Sequence, residues 1–160
     1  MLELTAGNEV LELAIRMEEA ARDFYEALGG ASDDPKVAEF CLAARREEAK
    51  HQAIFQDMRR EWSLSHQAHL MSPEALEALQ TMARERTHPD PAAVQQVALK
   101  GNLASALELA LGMERGAIRF YEDMRAHMPN VAEALDEVLR QERMHVERLM
   151  ALGRATAGVR

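Results

Sequence analysis

The sequence is poor in cysteine, in aromatic residues and in long hydrophobic runs. Its single cysteine, Cys41, excludes an intrachain disulfide, and its apolar neighbours predict a small buried side chain. No apolar stretch approaches the roughly 18 residues that a membrane-spanning helix needs. No basic segment followed by an apolar core marks a secretory signal at the N-terminus. We therefore expect a cytoplasmic protein that does not enter a membrane.

Positive charge is also in short supply. The formal net charge of −8 argues against nucleic acid or an anionic membrane as the main partner. Alanine, leucine, methionine, glutamate and arginine dominate, a composition that favours helix. A chain of 160 residues is expected to form one domain, residues 1–160, with a core that needs neither disulfides nor a metal for its size.

The sequence does contain four apolar stripes with helical spacing, and polar residues interrupt each of them. A carboxylate within an apolar face costs several kcal/mol unless another group compensates its charge. Four carboxylates and two imidazoles therefore call for a common explanation, and a pair of metal ions supplies one. The interrupting residues are Glu18, Glu48, His51, Glu114, Glu142 and His145.

The two halves of the chain form an internal repeat. Two copies are too few for a solenoid. They are enough for a four-helix bundle with a pseudo-two-fold axis, in which each half is a helical hairpin. The matching strings are Leu-Glu-Leu-Ala at 11–14 and 107–110, Phe-Tyr-Glu at 24–26 and 120–122, and Pro-x-Val-Ala-Glu at 35–39 and 129–133.

Capping and breaking residues predict where the helices begin and end. Gly29 and Gly30 should end the first helix, and Asp34 should cap the second one. The long crossover, residues 63–101, should contain a short helix that Ser72 caps. The predicted main helices run from about Ala6 to Leu28, Pro35 to Trp62, Asn102 to His127, and from Pro129 to near Ala157, and the crossover pieces are Pro73 to about Ala83 and Ala92 to Lys100.

The spacing of the polar residues suits metal binding. Residues three apart on a helix share a face, so each Glu-x-x-His pair can offer a carboxylate and an imidazole to one point. Glu18 and Glu114, on the other two helices, are expected to bridge two ions roughly 3.5–4 Å apart. Four carboxylates balance two divalent ions when both histidines are neutral. Oxygen and imidazole ligands without thiolate suit iron or manganese, and zinc is possible.

These features resemble the ferritin-like di-iron carboxylate proteins, most closely the rubrerythrin-like branch. The strings that carry the resemblance are the two Glu-x-x-His pairs and Met-Glu-x-x-Ala-x-x-Phe-Tyr at 17–25 and 113–121. The resemblance implies an all-helical, ferritin-like four-helix bundle with the six residues above as metal ligands. It also implies that Tyr25 and Tyr121 form hydrogen bonds to ligands and take part in catalysis; plain core packing is the alternative for both.

The resemblance implies a non-haem di-iron oxidoreductase that reduces hydrogen peroxide or dioxygen with electrons from an external donor. Iron binding and storage of the ferritin type, and a structural metal-binding bundle without turnover, are the alternatives. Two departures separate this sequence from two-domain rubrerythrins. With one cysteine it lacks the rubredoxin-type iron–sulfur module, and Ala117 stands where they carry an additional Glu.

Other polar residues receive a simpler interpretation. Glu19, Glu47 and Glu147 fall beside the stripes and are expected to be solvated. Glu85 and His88 match the Glu-x-x-His string by chance, because Pro89 follows and the repeat has no counterpart. The crossover histidines are expected on a surface helix, and two methionines in the core near the site; these residues are His66, His69, Met17 and Met113.

The crossover also suggests an assembly. Leu76, Leu79 and Met82 give its short helix an apolar side, while the inner faces of the bundle are already occupied by the four stripes. That side must cover its own bundle or a second chain. Exposed apolar patches usually mark interfaces, and two-fold dimers are the commonest assembly. We therefore expect a homodimer in which the crossover contributes contacts.

Overall fold

The helices of the bundle are long and the turns between paired helices are short. The computed structural model describes residues 2–64, 72–85, 96 and 102–157, and within these residues there is no strand. The all-helical bundle that the sequence predicts is thereby confirmed. The helices are α1 (Leu2–Ala31), α2 (Pro35–Leu64), α3 (Pro73–Glu85), α4 (Leu103–His127) and α5 (Ala132–Ala157), with a 3₁₀ turn at Pro129–Val131 before α5.

The main helices form two hairpins. α1 packs along α2, and α4 packs along α5, as short connections require of neighbouring helices. The hairpins meet where α1 contacts α4 and α2 contacts α5. The helix of the crossover, α3, lies against α1 and α4. This arrangement brings the inward face of every main helix to a shared interior.

Three polar residues cap helices where the sequence predicts. An oxygen of Asp34 accepts a hydrogen bond from the backbone N–H two residues later at 2.9 Å. Ser72 and Asn102 accept from the N–H three residues later at 3.1 and 3.3 Å, respectively. Each cap satisfies a donor that the first turn of a helix leaves without a partner. The predicted capping residues at the beginnings of α2, α3 and α4 are therefore confirmed.

The predicted end of α1 was wrong. α1 continues through Gly29 and Gly30 to Ala31. A Cβ on Gly29 would lie 2.9 Å from the Cβ of Cys41 on α2. Gly29 therefore allows the two helices to approach closely, and it serves packing rather than helix termination.

Two apolar clusters fill the interior, one toward each end of the bundle. Cys41 is buried, as predicted, and so is Met17, while Met113 is partly buried against one cluster. Ala75 and Leu79 of α3 join the first cluster. The largest fully buried side chains of the first cluster are Leu11, Phe55, Leu79, Phe120, Tyr121, Met124, Met128 and Leu135; those of the second are Phe24, Tyr25, Leu28 and Leu149.

Some predictions fall outside the described residues. These are the helical piece from Ala92 to Lys100, apart from Gln96, which is helical, and the histidines His66, His69 and His88. In the part of the chain that the structure describes, no helix is long and apolar enough to cross a membrane.

Candidate metal centre

The residues that interrupt the apolar stripes meet in the interior of the bundle. One carboxylate comes from α1, one from α4, and a carboxylate with an imidazole from each of α2 and α5. All six are buried, with exposed fractions of at most 2%. Along each helix they lie between residues of the two apolar clusters, which exclude water at both ends. The six side chains are Glu18, Glu48, His51, Glu114, Glu142 and His145.

The six side chains form two overlapping groups. Glu18 and His51 belong to one group, and Glu114 and His145 belong to the other. Glu48 and Glu142 belong to both, and the ligand atoms within each group lie within 4.8 Å of one another. The geometry therefore favours the carboxylates of the Glu-x-x-His pairs as the bridging groups.

The sequence-based expectation that Glu18 and Glu114 bridge does not agree with this arrangement. The physical reason lies in how the four helices meet. α1 contacts α4 and α2 contacts α5, but of the four carboxylates only those on α2 and α5 lie within about 3.2 Å of both histidines. Spacing along a single helix cannot reveal which pair of helices faces across the centre.

Both shared carboxylates present one oxygen to each histidine. His51 Nδ1 lies 3.0 Å from Glu48 Oε2 and 3.2 Å from Glu142 Oε1. His145 Nδ1 lies 3.2 Å from Glu48 Oε1 and 3.1 Å from Glu142 Oε2. The two imidazole rings are 6.0 Å apart between centroids. Nδ1 is thus the histidine atom directed at the centre.

The two buried tyrosines contact the unshared carboxylates. The hydroxyl of Tyr25 on α1 donates a hydrogen bond to Glu114 on α4, and that of Tyr121 on α4 donates to Glu18 on α1. Each hairpin therefore holds a carboxylate of the other. The Tyr121 ring also packs against Phe55, at 5.0 Å between centroids. These contacts favour the hydrogen-bonding interpretation over plain core packing, and a catalytic role stays a prediction.

Two further polar residues, neither of which the sequence analysis placed in the site, contact the outer sides of the histidines. Gln141 Oε1 lies 2.7 Å from His51 Nε2, and Glu47 Oε2 lies 2.5 Å from His145 Nε2. The expectation that Glu47 is merely solvated was therefore wrong, because its partner lies on another helix. One signal was available: both residues directly precede the Glu of a Glu-x-x-His pair, so the repeat makes them equivalent.

Comparison with known protein families agrees with this geometry. A family model described as Rubrerythrin matches residues 9–153. The chain belongs to the rubrerythrin family. A search of curated proteins and a search of solved structures find no match. Within this rubrerythrin-family bundle, Ala117 packs against the first apolar cluster.

The donor set of this rubrerythrin-family chain fits a pair of metal ions. Glu18 Oε2 and Glu48 Oε1 are buried, and no described residue donates a well-formed hydrogen bond to either, although an imidazole nitrogen lies 3.5 Å from the first and 3.2 Å from the second. A buried oxygen without a donor is costly, and a bound cation removes that cost. The four carboxylates would hold two divalent ions without excess charge, with one histidine for each ion.

Without metal, several of these groups hold protons more tightly than usual. Burial and the nearby charge of Glu142 raise the pKa of Glu114 to about 7, and the same causes raise the pKa of Glu48 well above its ordinary value. Burial opposes the charged form of both histidines, yet hydrogen bonds to the carboxylates outweigh it and raise the pKa of His51 and of His145. Glu142 is also buried, but hydrogen bonds from both histidines lower its pKa. Metal ions therefore compete with protons for this centre.

Proposed function

We propose that this chain is a non-haem di-iron oxidoreductase that reduces hydrogen peroxide or dioxygen with electrons from an external donor. The observation that carries the proposal is the overlap of the two ligand groups at Glu48 and Glu142. Each shared carboxylate offers one oxygen to each group, which suits two ions held side by side. A structural site needs only one ion with a closed ligand set.

The ligand chemistry supports iron. The centre offers carboxylate oxygens and imidazole nitrogens, a set that suits iron and manganese. Zinc also accepts these ligands. Analysis of the metal bound in protein from its native host tests the choice of iron. Two bound iron ions would supply the two electrons that reduce one hydrogen peroxide to water.

The protein's own residues keep the centre dry and ordered. The apolar clusters at both ends keep bulk water out. Burial, together with the nearby carboxylates, raises the pKa of Tyr25 and of Tyr121, so both phenols keep their protons. Each phenol can therefore hold a carboxylate of the opposite hairpin by donating a hydrogen bond. Such hydrogen bonds orient ligands and tune what they bind.

The 160 residues of this sequence offer no cysteine-bound cluster as an electron source. The sequence has a single cysteine, Cys41, which is buried and whose pKa burial raises to about 12. A thiol of this kind is inert, and a cysteine-bound iron–sulfur cluster needs several thiolates. We therefore propose a separate electron-donor protein as the partner.

Peroxide turnover tests the proposal. The metal-free protein is loaded anaerobically with two Fe(II) per chain and mixed with excess hydrogen peroxide, and in parallel with dioxygen, in the presence of a reduced iron–sulfur protein as donor. We expect consumption of many equivalents of oxidant per chain. Glu48→Ala should abolish turnover, whereas Glu147→Gln on the exposed surface of α5 should retain it.

Other outcomes would assign a different function. Uptake of many more than two irons per chain, retained after gel filtration, would establish the storage alternative. Tight binding of two metal ions that raises the melting temperature without consumption of either oxidant would establish the structural alternative.

A further inference from the structure

The two histidines of the centre differ in what accepts the hydrogen bond from their outer nitrogen. His145 Nε2 lies 2.5 Å from a carboxylate oxygen of Glu47. His51 Nε2 lies 2.7 Å from the amide oxygen of Gln141. The repeat makes Glu47 and Gln141 equivalent, so the pseudo-two-fold axis relates a charged acceptor to a neutral one. The difference lies just outside an otherwise symmetric set of ligands.

The surrounding hydrogen bonds fix the orientation of both acceptors. The amide nitrogen of Gln141 donates to Glu137 Oε1 at 2.6 Å, which leaves its amide oxygen for His51. The carboxylate of Glu47 also faces Arg148, with both oxygens 3.4 Å from Nη1. That contact is longer than the one to His145, and half-exposed ion pairs contribute little. Glu47 therefore acts mainly on the histidine.

Each acceptor favours the tautomer of its histidine that carries the proton on Nε2. A neutral histidine that donates from Nε2 has its lone pair on Nδ1. Nδ1 is the atom that faces the carboxylates of the centre. A hydrogen bond to a charged acceptor is roughly twice as strong as a neutral one, and it makes the other ring nitrogen a better metal ligand. His145 Nδ1 should therefore be a stronger metal ligand than His51 Nδ1.

We propose that the two metal positions are unequal, and that Glu47 and Gln141 set the difference. The position formed by Glu48, Glu114, Glu142 and His145 binds a divalent cation more tightly than the position formed by Glu18, Glu48, Glu142 and His51. The inference rests on the metal binding in the proposed function, but not on any redox activity. Glu47 and Gln141 are positioning residues, because each acts through a histidine.

The location of both residues makes the exchange of their side chains a clean test. Glu47 and Gln141 line a surface cavity of about 130 Å³ together with Lys50, Arg140, Met144 and Arg148. Glu and Gln have nearly the same shape, so Glu47→Gln and Gln141→Glu change charge at the rim without disturbing the apolar clusters. Because the amide of Gln141 donates to Glu137, every variant with Gln141→Glu also carries Glu137→Gln, which reverses that hydrogen bond instead of placing two carboxylates side by side.

The experiment titrates metal-free protein with Zn(II) in competition with a chromophoric chelator, while ¹⁵N-histidine NMR identifies which Nδ1 is bound first. For the wild type we expect two binding steps, separated by about tenfold to a hundredfold in affinity, with His145 bound first. Glu47→Gln should weaken the first step toward the second. Gln141→Glu should strengthen the second step toward the first.

The double exchange and a control decide the origin of the difference. Glu47→Gln/Gln141→Glu should restore two separate steps with the order inverted, so that His51 is bound first. Glu147→Gln removes one exposed negative charge from α5 and should leave the wild-type pattern. A melting curve of each variant verifies folding, and Gln141→Glu alone carries the test if Glu47→Gln does not fold.

Three results would overturn the inference. Two equal steps in the wild type would contradict unequal positions, and an order that the double exchange does not invert would place the cause elsewhere. In both cases two ions still bind, so the proposed function survives. If no Zn(II) or Fe(II) binds to the wild type, the proposed function fails together with the inference.

Discussion

At the scale of single residues, the buried tyrosines allow a decisive test. Tyr25→Phe and Tyr121→Phe keep the ring and remove only the hydroxyl that donates to Glu114 or Glu18. A hydrogen bond to a charged group contributes about 1.5–3 kcal/mol. We expect each variant to lose about that much free energy of unfolding in the metal-loaded protein, measured by urea titration. A change below about 0.5 kcal/mol, typical of neutral substitutions, would support plain core packing.

The ligands themselves provide a second prediction, because only some are shared. Glu48→Ala should lower the affinity for both ions, since Glu48 belongs to both groups, whereas His51→Ala should weaken mainly the ion next to it. The measurement is metal content per chain after dialysis against a range of chelator concentrations. Equal loss of both ions in His51→Ala would instead show that the centre assembles as a unit.

The same residues show how far the sequence could predict the centre. All six predicted ligands lie together, because a carboxylate in an apolar stripe is a strong signal of a compensated buried charge. The bridging roles and the contact of Glu47 with His145 were not predictable. Both depend on which helices face each other across the interior, whereas the period of a single helix identifies only the inward face.

At the scale of helices, the packing of α1 on α2 predicts an unusual sensitivity to a small substitution. Gly7 is buried, and a Cβ at this position would overlap the indole ring of Trp62. Gly7→Ala must displace that rigid ring or separate the helices, at a cost of about 1–3 kcal/mol. Urea unfolding of the variant measures the loss of stability.

A matched glycine in α4 serves as the control. Gly112 is exposed, and a Cβ there would meet nothing within 4 Å. Because alanine favours helix, Gly112→Ala should stabilise the protein by roughly 0.5–1 kcal/mol. If Gly7→Ala is also stabilising, the close approach of α1 and Trp62 is incorrect.

Helix beginnings were easier to predict than helix ends. The caps at Asp34, Ser72 and Asn102 could be predicted because a cap is a local hydrogen bond between neighbours in sequence. Gly29 was misread as a terminator because its role depends on Cys41 of another helix. A glycine that stops a helix and one that lets two helices approach look the same in the sequence.

At the scale of the whole molecule, the homodimer stays a prediction. Ala75 and Leu79 of α3 are buried in the first apolar cluster, which also contains residues of the main helices. The same contacts can form between two chains if they exchange the crossover, so a dimer needs no new apolar surface. Light scattering at micromolar concentration should give twice the 17.9 kDa of one chain. A mass of one chain would exclude the dimer.

Metal removal and pH should act together on the stability of the whole bundle. In the metal-free protein Glu114 has a pKa of about 7 against an ordinary value of 4.5, and the pKa of both histidines is raised from 6.5. A raised pKa means that the folded state holds a proton that the unfolded state has released. The stability from Glu114 is therefore lost as the pH rises from about 4.5 to 7, and that from the histidines is lost above 6.5.

Calorimetry at pH 6 and pH 8 can test this prediction. Chelated protein should melt at a lower temperature at pH 8 than at pH 6. Bound ions should raise the melting temperature more at pH 8 than at pH 6, because each ion displaces fewer protons at the higher pH. At a free metal concentration of 1,000 times Kd, each ion adds about 4 kcal/mol, so the difference between loaded and chelated samples should be several degrees or more and should widen with pH. Identical melting temperatures with and without chelator at pH 8 would contradict a buried metal centre.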